Sequence, residues 1–236
     1  MTQTTAWATE TIRLTLLGVP EGVNVSWKSV AGAEPESVTN RPAQQLSIQE
    51  GPFGNGRLVI TSHPGRVDIA LGAIPTDPMG HPSLGEFASV SASFEASLKG
   101  LKLPTVARLA MGATLNVFPD SLVASTLMLK ELVPELSFGS DASDLVFQVN
   151  RAKKFPKISG LVMNRLTKWS QLLSQTVQYQ NNEAMNTKHN HLIQLELDLN
   201  TSPGSKLPHA DAYKSIIAAF FSEARALAGV NENANG

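Results

Sequence analysis

The sequence predicts an α+β fold: a mainly antiparallel sheet with about three helices packed on one face, and a β-rich N-terminal part. Three observations carry that expectation. Short runs that alternate apolar and polar residues recur from residue 11 to residue 201. Most are joined by short turns rich in Gly, Pro and Asn. Apolar residues at helical spacing occupy only three segments, a ratio that fits helices laid on a sheet rather than alternating with its strands.

The first 75 residues read as strands and turns. Residues 11–18 alternate and stop at Gly18 and Pro20, and residues 23–27 alternate again with Val23, Val25 and Trp27 on one face. A loop is expected from 31 to 43. Strands at 45–49 and 57–61 flank the segment 51–56, where Asn55-Gly56 is the dipeptide a tight hairpin wants. His63-Pro64-Gly65 turns the chain into a strand at 66–71. Pro75, Pro78 and Pro82 with Gly80 make a stiff connector. The chain is expected to form a single domain over 1–228, with 75–82 as the alternative position for a subdomain boundary.

Ser83 and Glu86 form a capping-box pattern, and Phe87, Val90, Phe94, Leu98 and Leu101 follow at helical spacing up to Pro104. A strand from 107 to 116 puts Leu109, Met111, Ala113 and Leu115 on one side. Asp120 is the expected N-cap of a second helix that ends before Pro134. Strands follow at 145–149, at 161–180 (long, and read as bent) and at 191–201. The last helix spans 208–229, its stripe formed by Tyr213, Ile216, Ile217, Phe220, Phe221, Ala224 and Leu227. That stripe is read as core, with homodimerisation as its alternative use. The tail 229–236 is expected to be disordered.

Composition removes some chemistry. With 236 residues the chain buries a core without a metal or disulfide to hold it. There are no cysteines, which excludes thiol nucleophiles, thiolate metal sites and iron–sulfur clusters. Lys plus Arg number 19 against 20 Asp plus Glu, so no global field steers the protein to nucleic acid or a membrane. The N-terminal residues lack the pattern of a secretory signal, no apolar run reaches membrane-spanning length, and a cytoplasmic location is expected.

Candidate sites are few. His189 and His191 form a His-x-His pair, with Glu196, Asp198, His209 and Asp211 downstream. Two imidazoles on one side of a strand are how many metal sites begin, so a metal-dependent hydrolase or lyase using His189, His191 and His209 is one reading. Strand parity puts Glu196 and Asp198 on the opposite face from these histidines. The same two carboxylates suit paired acids for hydrolysis, and equally any solvent-facing strand. Residues 51–56 resemble a phosphate loop, but a strand follows where a phosphate loop needs a helix N-terminus. Gly139-Ser140-Asp141 lacks the frame of a nucleophile elbow.

The one statistical anomaly is charge. Between Asp144 and Glu183 there is no acidic residue, while Arg151, Lys153, Lys154, Lys157, Arg165 and Lys168 all fall there, with Phe155, Trp169 and Tyr179 interleaved. That window suits an acidic protein partner, a phosphate backbone with Trp169 available for stacking, or a solvated face. The resulting expectation is a non-enzymatic binding or regulatory protein without a cofactor, acting through a macromolecular partner that contacts 151–168. A protein is favoured as that partner, with nucleic acid and metal-dependent chemistry as alternatives.

Overall fold

In the computed structural model, residues 5–77, 79–139, 141–155, 158–180 and 183–229 are described. The expected tail lies outside the described residues from 230 onward, as do Pro78, Ser140 and Lys157. The elements run β1 (Ala8–Val19), α1 (Trp27–Ala31), β2 (Ser37–Arg41), β3 (Leu46–Phe53), β4 (Gly56–His63), β5 (Gly65–Ala73), α2 (Phe87–Leu98) and β6 (Arg108–Val117). They continue with α3 (Leu122–Leu132), β7 (Val146–Lys154), β8 (Val162–Gln180), β9 (Glu183–Thr201) and α4 (Tyr213–Leu227).

The fold is α+β. All nine strands form one antiparallel sheet in the order β2-β3-β4-β5-β1-β6-β9-β8-β7. Alternation decides which face is covered. Ile60, Ile69, Leu14, Met111 and Leu199 stand opposite one another in a single cross-strand row, and each is fully buried. The helices lie on this face. Phe87, Phe94 and Leu98 of α2 pack down beside Tyr213, Ile216, Phe220 and Phe221 of α4. Edge-on ring pairs lock the layer, with Phe94 and Phe221 centroids 6.1 Å apart and Phe155 and Phe220 5.7 Å apart. The Tyr213 hydroxyl accepts from the Val106 N–H at 3.2 Å, and Trp7 Nε1 donates to the Ala228 carbonyl at 2.9 Å. No described helix is long and apolar enough to cross a membrane.

Several local expectations give way to tertiary contacts. Residues 23–27 do not form a strand, and Trp27 instead opens α1. The Gln49 side chain on β3 accepts from the Trp27 N–H at 3.0 Å and donates to the Val25 carbonyl at 3.2 Å, taking the groups a neighbouring strand would pair. The expected loop at 31–43 contains β2, whose side chains are mostly exposed and leave no hydrophobic signature. Among the described residues the helices therefore number four, including the five-residue α1.

Turns and caps shift by one residue in two places. Phe53 pairs with Gly56, so Gly54 and Asn55 are the hairpin turn; Gly54 alone has positive φ (58°), the sign pattern of a type II′ turn. Gly56 lies in the strand, where a Cβ would come within 2.5 Å of the Gly72 carbonyl oxygen. The N-cap of α3 is Ser121, whose Oγ accepts from the Ala124 N–H at 3.1 Å, in place of Asp120. The capping box at Ser83 and Glu86 does not form. The helix instead starts at Phe87 with Glu86 as its N-cap. The Phe87 N–H donates to the Trp7 carbonyl at 3.0 Å and the Leu84 N–H to the Thr9 carbonyl at 2.8 Å, so the start of β1 holds this segment extended up to the helix. The Ser83 hydroxyl accepts from Gly85 N–H instead.

Phe221 is fully buried between α2 and the sheet, and Phe221→Ala should cost about 3–5 kcal/mol of stability, read from the urea unfolding midpoint. A loss below about 1 kcal/mol would show that this helix layer is not the core.

Candidate functional site

The cross-strand row of the covered face does not end at Leu199, although its full burial does. Its next two members are Arg165 on β8 and Arg151 on β7, so the sheet passes from an apolar centre to a cationic edge. α4 answers that edge with Glu223, which is 9% exposed. Arg165 Nη1 reaches Glu223 Oε1 at 2.6 Å, and Lys153 Nζ pairs with the other carboxylate oxygen. Burial opposes ionisation of Glu223, but the hydrogen bonds from Lys153 and Arg165 prevail and hold the carboxyl below its ordinary value of 4.5.

The basic window therefore does not assemble into one patch. Arg151 pairs with Glu135 at 3.2 Å on the covered side, whereas Lys168 sits on the open side and pairs with Glu196 at 2.6 Å. Lys154 is exposed on the edge strand β7, and Lys157 lies outside the described residues. Trp169 is 8% exposed and stacks at a tilt on Trp7, centroids 5.8 Å apart, so its ring is not free for a base. Acidic residues distant in sequence but adjacent in space take up most of the charge that the linear window suggested.

The histidines stay apart as well. His189 and His191 lie on the distal part of β9, opposite Gln175 and Leu173 of β8. His209 lies before α4, at the end of the sheet where Tyr213 meets Val106, and its Nδ1 is 2.9 Å from Asp211 Oδ2 on an exposed turn. Among the described residues, no group of three His, Asp or Glu side chains is placed to hold a metal ion.

Two features escaped the sequence reading. The first is a hairpin arm. β6 stops pairing with β9 at Ile193, and β7 stops pairing with β8 at Ser170. Past Gln171, whose N–H still donates to the Leu145 carbonyl at 2.8 Å, β8 and β9 pair only with each other among the described residues, as far as Gln180 and Glu183. Nine further β8 residues at about 3.4 Å each extend the ribbon roughly 30 Å past the sheet, with no third strand beside it among the described residues. Leu173 is 58% exposed on this arm, on the same face as Gln171, whose amide donates to Thr126 Oγ1 of α3 at 2.9 Å. α3 adds exposed Leu122, Val123 and Leu127. The 19-residue β8 was expected as a long strand, but only pairing shows which part runs free. On the other side of the arm's base, His81 stacks on Phe118 with centroids 4.5 Å apart. Burial, reinforced by Lys188 and opposed by Glu10, keeps its pKa below 6.5.

The second feature is a cleft of about 360 Å³ on the open face of the sheet, floored by β1, β6, β8 and β9. Both of the paired acids picked from the sequence, Glu196 and Asp198, line it. The chain matches no protein-family model and no curated protein.

Because the folded-state pKa of Glu223 is depressed, its stabilisation is complete above 4.5 and disappears as pH falls below that value. Glu223→Gln should be destabilised at neutral pH by about 3–5 kcal/mol or less, given the partial exposure of Lys153. The deficit against the wild type should shrink on acidification below 4.5 in urea titrations. A deficit that does not change with pH would mean that charge does not hold this cluster.

Proposed function

We propose that the protein is a non-enzymatic binding protein that holds a protein partner, and that the β8–β9 arm with the outer side of α3 is its contact surface. The observation that carries this reading is the arm itself: among the described residues, about nine residues of each strand lie beyond the last pairing with β6 and β7 and form a ladder with each other alone. An extended partner segment adds main-chain hydrogen bonds along such an edge, while side-chain contacts supply selectivity. Leu173, with Leu122, Val123 and Leu127 on α3, offers apolar surface for those contacts. Few charges lie on the arm, so a peptide backbone suits it better than a phosphate backbone. The ion pairs of Arg151, Lys153, Arg165 and Lys168 also favour the arm over the basic window as the docking surface.

The test is native mass spectrometry of the full chain purified gently from its own cells. The wild type should carry a bound protein, and Leu173→Glu combined with Val123→Glu should weaken that association at least about tenfold, which is about 1.4 kcal/mol. Retention equal to wild type, or loss only on Arg151→Ala with Lys154→Ala, would remove the arm as the contact. A wild-type protein that carries nothing would overturn the reading.

A further inference from the structure

The open-face cleft is built around a glycine. Arg13 of β1, Gly112 of β6, Asp198 of β9 and Leu166 of β8 stand opposite one another in one cross-strand row. A Cβ on Gly112 would lie 3.1 Å from Arg13 Nε and 3.5 Å from the Leu197 carbonyl oxygen. The missing side chain is what lets Arg13 lie across β6 toward β9. In the adjoining row Lys168 and Glu196 neutralise each other at 2.6 Å.

Arg13 and Asp198 are different. The Arg13 guanidinium makes no ion pair or hydrogen bond with any described residue. Among the described residues Asp198 accepts only from Asn200 Nδ2, at 2.9 Å, and has no cationic partner. The cleft therefore presents one uncompensated cation and one uncompensated anion on either side of a bare strip of backbone, with half-buried Leu166 beside the anion. Its charges sum to zero, which disfavours a polyanion such as nucleic acid or a phosphate ester. A ligand that carries both signs a few ångströms apart matches both poles at once.

We propose that this cleft binds a free α-amino acid with an aliphatic side chain. Its α-carboxylate takes the fork of Arg13, its α-ammonium donates to Asp198, and its side chain lies on Leu166. A cleft of about 360 Å³ lies at the small end of ligand pockets, in keeping with a ligand of this size. The site shares no residue with the proposed contact surface on the arm and α3, so either stands without the other.

Isothermal titration of L-leucine into the full chain at low ionic strength tests this directly. Leucine should bind saturably, whereas leucinamide, which lacks the carboxylate, and N-acetyl-leucine, which lacks the ammonium, should each bind at least about tenfold more weakly. Arg13→Gln and Asp198→Asn should each weaken leucine at least about tenfold with little change in the urea unfolding midpoint. Gly112→Ala, which pushes on Arg13, should also weaken it. Absence of saturable leucine binding, equal binding of a blocked analogue, or wild-type affinity in Arg13→Gln would each overturn the proposal. If a variant fails to fold, the analogue series on the wild-type protein decides alone.

Discussion

The structure depends on where β1 sits. The first strand of the chain is the central seam of the sheet, between β5 on one side and β6 on the other. The consecutive strands β2–β5 form one wing and β6–β9 the other, and among the described residues β1 is the only strand that hydrogen-bonds to both. Ile12, Leu14 and Leu16 are fully buried on it, so joining the wings also makes their apolar faces continuous beneath α2 and α4. The residues just before β1 extend the same role. Trp7 rests on Trp169 of the far wing and donates to the end of α4, while its carbonyl accepts from the first turn of α2. Closing this seam needs contacts across more than 200 residues of chain, and burial of the apolar row repays that loop-closure entropy.

The parts of this fold that were legible in the sequence are those whose burial is one-sided and regular. On β9, Ile193, Leu195, Leu197 and Leu199 are buried while Gln194, Glu196, Asp198 and Asn200 are half-exposed, the period-two pattern that the sequence displays. α4 was legible for the same reason at period 3.6. The misreadings share a cause: a group the local pattern assigned to its neighbours found a partner elsewhere. Gln49 draws Trp27 into a short helix although Val23, Val25 and Trp27 alternate like a strand. The carbonyls of Trp7 and Thr9 bind the N–H groups of Phe87 and Leu84 and hold Ser83 to Glu86 extended, so the helix starts after the expected box. β2 was invisible because an edge strand with exposed side chains pairs through backbone alone.

Charge misled for a related reason. A window without acidic residues looks like a field, but a field is a property of space. Glu223 is 58 residues from Arg165 and 70 from Lys153, and it sits against both. The arginines of β7 and β8 occupy positions that further toward the sheet centre hold leucine and methionine. Arg165 is partly buried beside α4, which is tolerable only because the helix brings the Glu223 carboxylate with it, while Arg151 at the edge is exposed and pairs with Glu135. The cleft was half legible. Glu196 and Asp198 were visible as a pair on one face, whereas Arg13 and Gly112 join them only through the β1–β6–β9 register.

That register is not equally enforced along the β8–β9 ribbon. From Ile193 to Thr201 a slip of one residue would drive Glu196 and Asp198 under α4 and expose four buried apolar side chains, so pairing there has one solution. Beyond Leu192 neither face is committed. Lys188 and His189 are exposed, Asn190 and His191 only half-buried, and a register shift between Gln178 and Tyr179 already interrupts the ladder. Nothing in such a ribbon penalises a partner strand of either alignment along its edges. One continuous pair of strands thus has a root fixed by the core and an end whose pairing the core does not dictate. The same loss of one-sided burial explains why the hydrophobic pattern shows a long strand at 161–180 without showing where the sheet stops pairing with it.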